Sequence, residues 1–112
     1  MSNAVAAYEV AFAIRPLVAL LISGTADVKE KAAAALGNLA STEDNGVAIV
    51  KAGAIPPLVE LLTSGTAGAK EEVAGALWSL AENADNKVAI AEAGAISPLA
   101  ELLTSGTALV KE

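Results

Sequence analysis

Along residues 67–83 the apolar side chains Val73, Ala76, Leu77 and Leu80 recur three and four positions apart. That spacing lays them on one face of a helix. Thr66 precedes the run as an N-cap, its hydroxyl accepting an otherwise unpaired backbone N–H. A second apolar run, "IPPLVELLTSG" (Ile55–Gly65), stands before it. Proline sits in its first turn, where a missing N–H costs nothing. Gly24, Gly65 and Gly106 end three such runs. A shorter run, "DNKVAIAEAG" (Asp85–Gly94), reads as a third helix, with Asp85 (and Asp44 before it) as N-cap. Gly53 and Gly94 close it, in the left-handed position that glycine tolerates best. The pattern predicts three helices per unit: short, medium and long.

The pattern then repeats. Ile14, Ile55 and Ile96 mark the same point three times, a period of 41. Aligned without gaps, Ile14–Ala54 and Ile55–Ala95 agree at 25 of 41 positions, and Ile96–Glu112 matches Ile55–Glu71 at 13 of 17. One such unit cannot bury its apolar stripe alone. Stacked copies share a continuous core, which predicts an all-α solenoid. The expected division is an N-terminal helix over 1–13, repeat units over 14–54 and 55–95, and a shortened unit over 96–112.

The run "NKVAIAEAGAI" into "SPLAELLTSG", with "KEEVAGALWSLAEN" in the preceding unit, resembles the armadillo repeat. The resemblance covers nearly the whole chain. It rests on Gly-Ala-Ile-Pro between the first and second helices and on Leu-Trp-Ser-Leu-Ala in the third. HEAT repeats are the near alternative, but they are usually two-helix units. The resemblance implies a right-handed α-solenoid and a binding role rather than catalysis. Armadillo arrays present their third helices along a concave groove. There one asparagine per repeat hydrogen-bonds the backbone of an extended peptide, since an amide both donates and accepts. That position falls on Asn38 and on Ser79; the first fits the pattern and the second departs from it. The tryptophan of importin-type members falls on Ala34 and Gly75, so their nuclear-import signal pocket is not expected. The high agreement between copies is that of a recent duplication, a fragment of a longer array or a consensus-like engineered array.

Several residues carry two readings. Asn38 is either a ladder amide or a surface polar residue. Trp78, beside Ser79, is either core and groove wall or a stacking platform. Glu72 and Glu82 either make the groove acidic, selecting a basic ligand, or form a solvated face.

Composition narrows the chemistry. Of the 112 residues 54% are apolar, with one each of Trp, Tyr and Phe, and there is neither cysteine nor histidine. Disulfides, thiolate chemistry and the commonest general base and metal ligand are therefore excluded. No cofactor is expected. "GTAGAKE" lacks the spacing of a phosphate-binding loop, and no enzyme activity is expected. Seven basic against thirteen acidic residues give a net charge of −6. Nucleic acid and anionic membrane are not expected as partners, whereas a basic peptide or protein segment is compatible. The apolar stretch 4–22 contains Glu9, Arg15 and Pro16, and it reads as a buried helix rather than a membrane or targeting segment. Cytoplasm or nucleus is the default compartment.

The two ends invite comparison. "TALVKE" (Thr107–Glu112) followed by "SNAVAAYEVA" (Ser2–Ala11) parallels "TAGAKEEVAGALWSLA" of repeat two, with Tyr8 on Trp78 and Val10 on Leu80. The first repeat lacks its own short first helix. Ser2–Ala13 is either the remnant of a preceding repeat capping its own chain or a helix that completes the tail of another. The second reading makes the chain a self-assembling scaffold, a homo-oligomer joined through its two ends. Val5, Tyr8, Val10 and Phe12 would then bury against Leu99, Leu102, Leu103 and Val110.

Overall fold

The computed structural model describes residues 3–105, with side chains for 9, 10 and 12–104. Seven helices and no strand occur among the described residues: α1 (Asn3–Ser23), α2 (Ala26–Leu39), α3 (Glu43–Lys51), α4 (Ile55–Ser64), α5 (Ala67–Leu80), α6 (Ala84–Glu92) and α7 (Ile96–Ser105). The chain is an all-α solenoid. Short helices α3 and α6, medium helices α4 and α7, and long helices α2 and α5 follow the 41-residue period. The long helices pack side by side, and α5 also rests on α4 and α3. One core cluster runs through the stack, built from Ile14, Leu21, Leu36, Ile49, Leu58, Val73, Leu77 and Leu80 among others. The four apolar positions expected on the third helix, Val73, Ala76, Leu77 and Leu80, are all buried. Each large aliphatic side chain so removed from water contributes about 1.5–3 kcal/mol.

The local signals act as capping chemistry requires. The Thr25 and Thr66 hydroxyls accept from Val28 N at 3.3 Å and Ala69 N at 3.1 Å, opening α2 and α5. After α3 and α6 the backbone turns left-handed at Gly53 (φ +89°) and Gly94 (φ +86°). Gly53 N–H donates to Val50 O and Ala54 N–H to Ile49 O, which satisfies the last carbonyls of α3. Gly65 is required for a different reason. Its backbone is extended, but a Cβ there would stand 2.6 Å from the Leu61 carbonyl oxygen.

Two expectations need correction. Asp44 and Asp85 are not the N-caps of the short helices. Thr42 and Asn83 are, accepting from Asn45 N at 3.4 Å and Asn86 N at 3.0 Å. The aspartates lie in the first turn, where a negative charge faces the positive end of the helix dipole. The N-terminal helix is also not separated from the medium helix of repeat one: α1 runs unbroken through Ile14 and Pro16. The period explains this. Phe12 occupies the position of Gly53 and Gly94. A side chain resists the positive φ that turns the chain there, so the helix continues. Among the described side chains of α1, Ile14, Val18 and Leu21 are buried, while Phe12, Leu20 and Ile22 are exposed. Among the described residues no single helix is long and apolar enough to cross a membrane.

Substituting Gly53→Ala should destabilise the fold by about 1–2 kcal/mol, because alanine must take up a left-handed conformation. Gly75→Ala should stabilise by about 0.5–1 kcal/mol, since Gly75 is mid-helix with open space around it. Urea unfolding followed by far-UV circular dichroism measures both.

Candidate functional site

The expected groove residues lie on the two long helices. Asn38 is exposed in the last turn of α2, and Ser79 is half-buried at the equivalent position of α5. Their backbones are equivalent as well: the Asn38 carbonyl accepts from Ser41 N and the Ser79 carbonyl from Glu82 N, each at 3.3 Å. Ala34, where importin-type members carry tryptophan, is half-buried, and Gly75 is exposed.

A cavity of about 140 Å³ opens where the ends of α2 and α5 meet the starts of α3 and α6. It gathers Ser79 and Glu82 with Thr42, Glu43, Asn83 and Asn86. Asn83 has two tasks. Its side-chain carbonyl caps α6, and its Nδ2 donates to Glu43 Oε2 at 2.9 Å across the repeat boundary. Asn86 is buried beneath it. Among the described residues no basic side chain lines this cavity, whereas Glu43 and Glu82 both do. Its field therefore favours a cation or a hydrogen-bond donor. A second rung joins the long helices at their other end, where Thr66 Oγ1 donates to Glu30 Oε1 at 3.4 Å.

Not every expected residue joins this site. Glu72 is exposed on α5, two turns before Ser79, and does not line the cavity. Trp78 faces elsewhere. It is 76% exposed and lines a separate apolar groove between α5, α6 and α7. Phe12 is 79% exposed, and Val10 packs against the core of its own chain. Leu99 is half-buried, Leu102 buried and Leu103 exposed, all three lining the apolar groove. The side chains of Val5 and Tyr8, and all of Val110, lie outside the described residues. Thr42, Glu43, Asn83 and Asn86 join the cavity without belonging to the groove residues expected from the sequence. A signal for two of them existed in the alignment, which pairs Thr42 with Asn83, both good N-caps.

Stacked three-helix units with equivalent long helices define the class: a helical-repeat solenoid offering a surface rather than a cleft. The chain belongs to the armadillo/β-catenin-like repeat family, whose model matches residues 11–41 and 43–82. This family is a protein-interaction and scaffold fold. Among solved structures similar to the chain are several engineered proteins. One is an engineered protein, 37% identical with a TM-score of 0.83, over 88% of this chain and 42% of that one. Another is a designed armadillo repeat protein in complex with the peptide (KR)4, 34% identical with a TM-score of 0.83 over the same shares. A third belongs to a set of computationally designed armadillo repeat proteins for modular peptide recognition, 33% identical with a TM-score of 0.82, again over 88% and 42%. The chain thus spans about two fifths of the length of these structures. A comparison with curated protein sequences finds no match.

Replacing Asn83 by alanine should cost about 0.5–2 kcal/mol through the lost cap alone. A drop in melting temperature, with α-helical content retained at low temperature, is the expected result.

Proposed function

We propose that the chain binds an extended, basic peptide or protein segment along the face of its long helices, without catalysing a reaction. The observation that carries this reading is the acidic cavity between α2, α3, α5 and α6, which holds Ser79 and Glu82. A lysine or arginine side chain entering it meets two carboxylates and, among the described residues, no competing cation. Asn38 and Ser79, one repeat apart, offer polar groups to the backbone of the same segment. Glu72, further along α5, would add attraction for a second basic residue. The net charge of −6 adds long-range attraction for such a ligand. The designed relative bound to (KR)4 supports the choice of ligand class. The absence of histidine and cysteine from the sequence supports binding over catalysis. Cytoplasm or nucleus is the compartment this reading favours.

The test is titration of an alternating Lys-Arg peptide into the full chain, followed by calorimetry. Binding should weaken as salt rises, because exposed charges are screened beyond roughly 8–10 Å at physiological ionic strength. Asn38→Ala should weaken binding by about two- to tenfold, the value of a net hydrogen bond of about 0.5–1.5 kcal/mol. Glu82→Lys should weaken it further. If both variants bind the peptide as the parent does, the face has been misassigned.

A further inference from the structure

The two long helices carry opposite charges at one equivalent position. Helices α2 and α5 share a Lys-Glu pair, Lys29–Glu30 and Lys70–Glu71, and then diverge: Lys31 stands where the next repeat has Glu72. Both positions belong to the face that holds Asn38 and Ser79. Lys31 precedes Ala34 by three residues and Asn38 by seven, and Glu72 precedes Gly75 and Ser79 by the same steps. Those spacings return to one side of a helix. Lys31, Asn38 and Glu72 are exposed, whereas Ala33, Leu36, Val73 and Ala76 point inward and are buried. Lys31 pairs with Asp27 of its own helix at 3.2 Å, yet its side chain stays 77% exposed. Such a surface pair one helical turn apart is weak, so the ammonium remains able to take a second carboxylate. The counterpart of Asp27 is Gly68, and the pair has no equivalent on α5.

We propose that Lys31 sets the charge pattern of the ligand: an extended peptide with an acidic residue two positions from a basic one, and a further basic residue between them. This rests on the peptide-binding reading above. Side chains of an extended chain alternate in direction, and those on the same side are about 6.6–6.8 Å apart. Packed helices lie about 8–10 Å apart, a difference that long side chains absorb. A strand crossing α2 and α5 at Asn38 and Ser79 therefore points alternate side chains toward the two ends of the long helices. At one end is the cavity with Glu43 and Glu82. Toward the other, about 10 Å back along each helix, Lys31 stands on α2 and Glu72 on α5. The middle side chain enters the cavity and is basic. The outer two meet Lys31 and Glu72, and are acidic and basic in turn. A uniformly basic ligand meets Lys31 with like charge.

The probes are an alternating Lys-Arg octapeptide and the same peptide with its first central residue, an Arg, replaced by Glu. Basic residues flank that Glu on both sides, so either chain direction makes all three contacts. Both are titrated by calorimetry into the full chain at low salt. The lost positive charge lowers affinity for a chain of net charge −6 wherever the Glu lands, so the diagnostic is the ratio of the two dissociation constants and its change on mutation. Lys31→Glu should move the ratio toward the all-basic peptide by about two- to tenfold, the range of exposed ion pairs changing sign. Lys31→Gln, which puts no like charge beside Asp27, should move it the same way by less. Lys51→Glu makes the same change in net charge at the exposed end of α3, and should move it by less than about twofold because distant exposed charges are screened. A ratio unmoved by Lys31→Glu, or moved as far by Lys51→Glu, overturns the proposal while leaving basic-peptide binding in place. Failure of both peptides to bind the parent chain overturns the reading beneath the proposal and the proposal with it.

Discussion

Side-by-side seating of one long helix on the next is the interaction on which the rest of this structure depends. The rows that meet are made of small residues and leucines. A Cβ added at Gly37 would stand 3.5 Å from Ala76, with Ala33 and Leu36 buried beside them. Small side chains let the axes approach, and close packing turns many weak dispersion contacts into stability. The short and medium helices then act as a cradle. Helix α4 supplies Leu58, Leu61 and Leu62, and α3 supplies Ile49. Because each unit buries its stripe only against the next, stability is shared between neighbours rather than held by any single unit.

This constraint also decides where polar chemistry is allowed. The faces between units must be apolar, so polar groups collect where helix ends meet. Cross-repeat hydrogen bonds from Asn83 to Glu43 and from Thr66 to Glu30 sit at the two ends of the long helices. The acidic cavity is a product of that geometry. It forms where two long helices stop and two short ones start, and capping residues already gather there. Such a surface suits an extended ligand crossing several units, each giving a modest contribution, better than a small molecule needing enclosure.

The same constraint separates Trp78 from its neighbour Ser79. On a helix, adjacent residues point about 100° apart. Ser79 turns toward the cavity at the repeat boundary, and Trp78 turns toward the apolar groove between α5, α6 and α7. In repeat one that second position is Gly37, covered by α5. Sequence adjacency alone suggests one shared groove; the stacking direction divides the pair between two surfaces.

Some features follow from the sequence itself. The 41-residue period, the all-helical class, the threonine caps at Thr25 and Thr66 and the turns at Gly53 and Gly94 are all local or periodic. Each depends on nearby backbone groups or on helical spacing, so each is legible in a string of residues. Asp44 and Asp85 lie in the first turn and not at the cap; aspartate is favourable in both places, and local preference does not separate adjacent positions. The continuity of α1 was legible in principle, through Phe12 at a glycine position, once the helix boundaries were known. Which face each residue of the long helices turns toward was decided only by packing. The cavity of Glu43, Glu82, Asn83 and Asn86 arises from segments about 40 residues apart in the chain, and the apolar groove beside Trp78 from segments about 10–30 residues apart. No local rule brings those segments together; the shared core does.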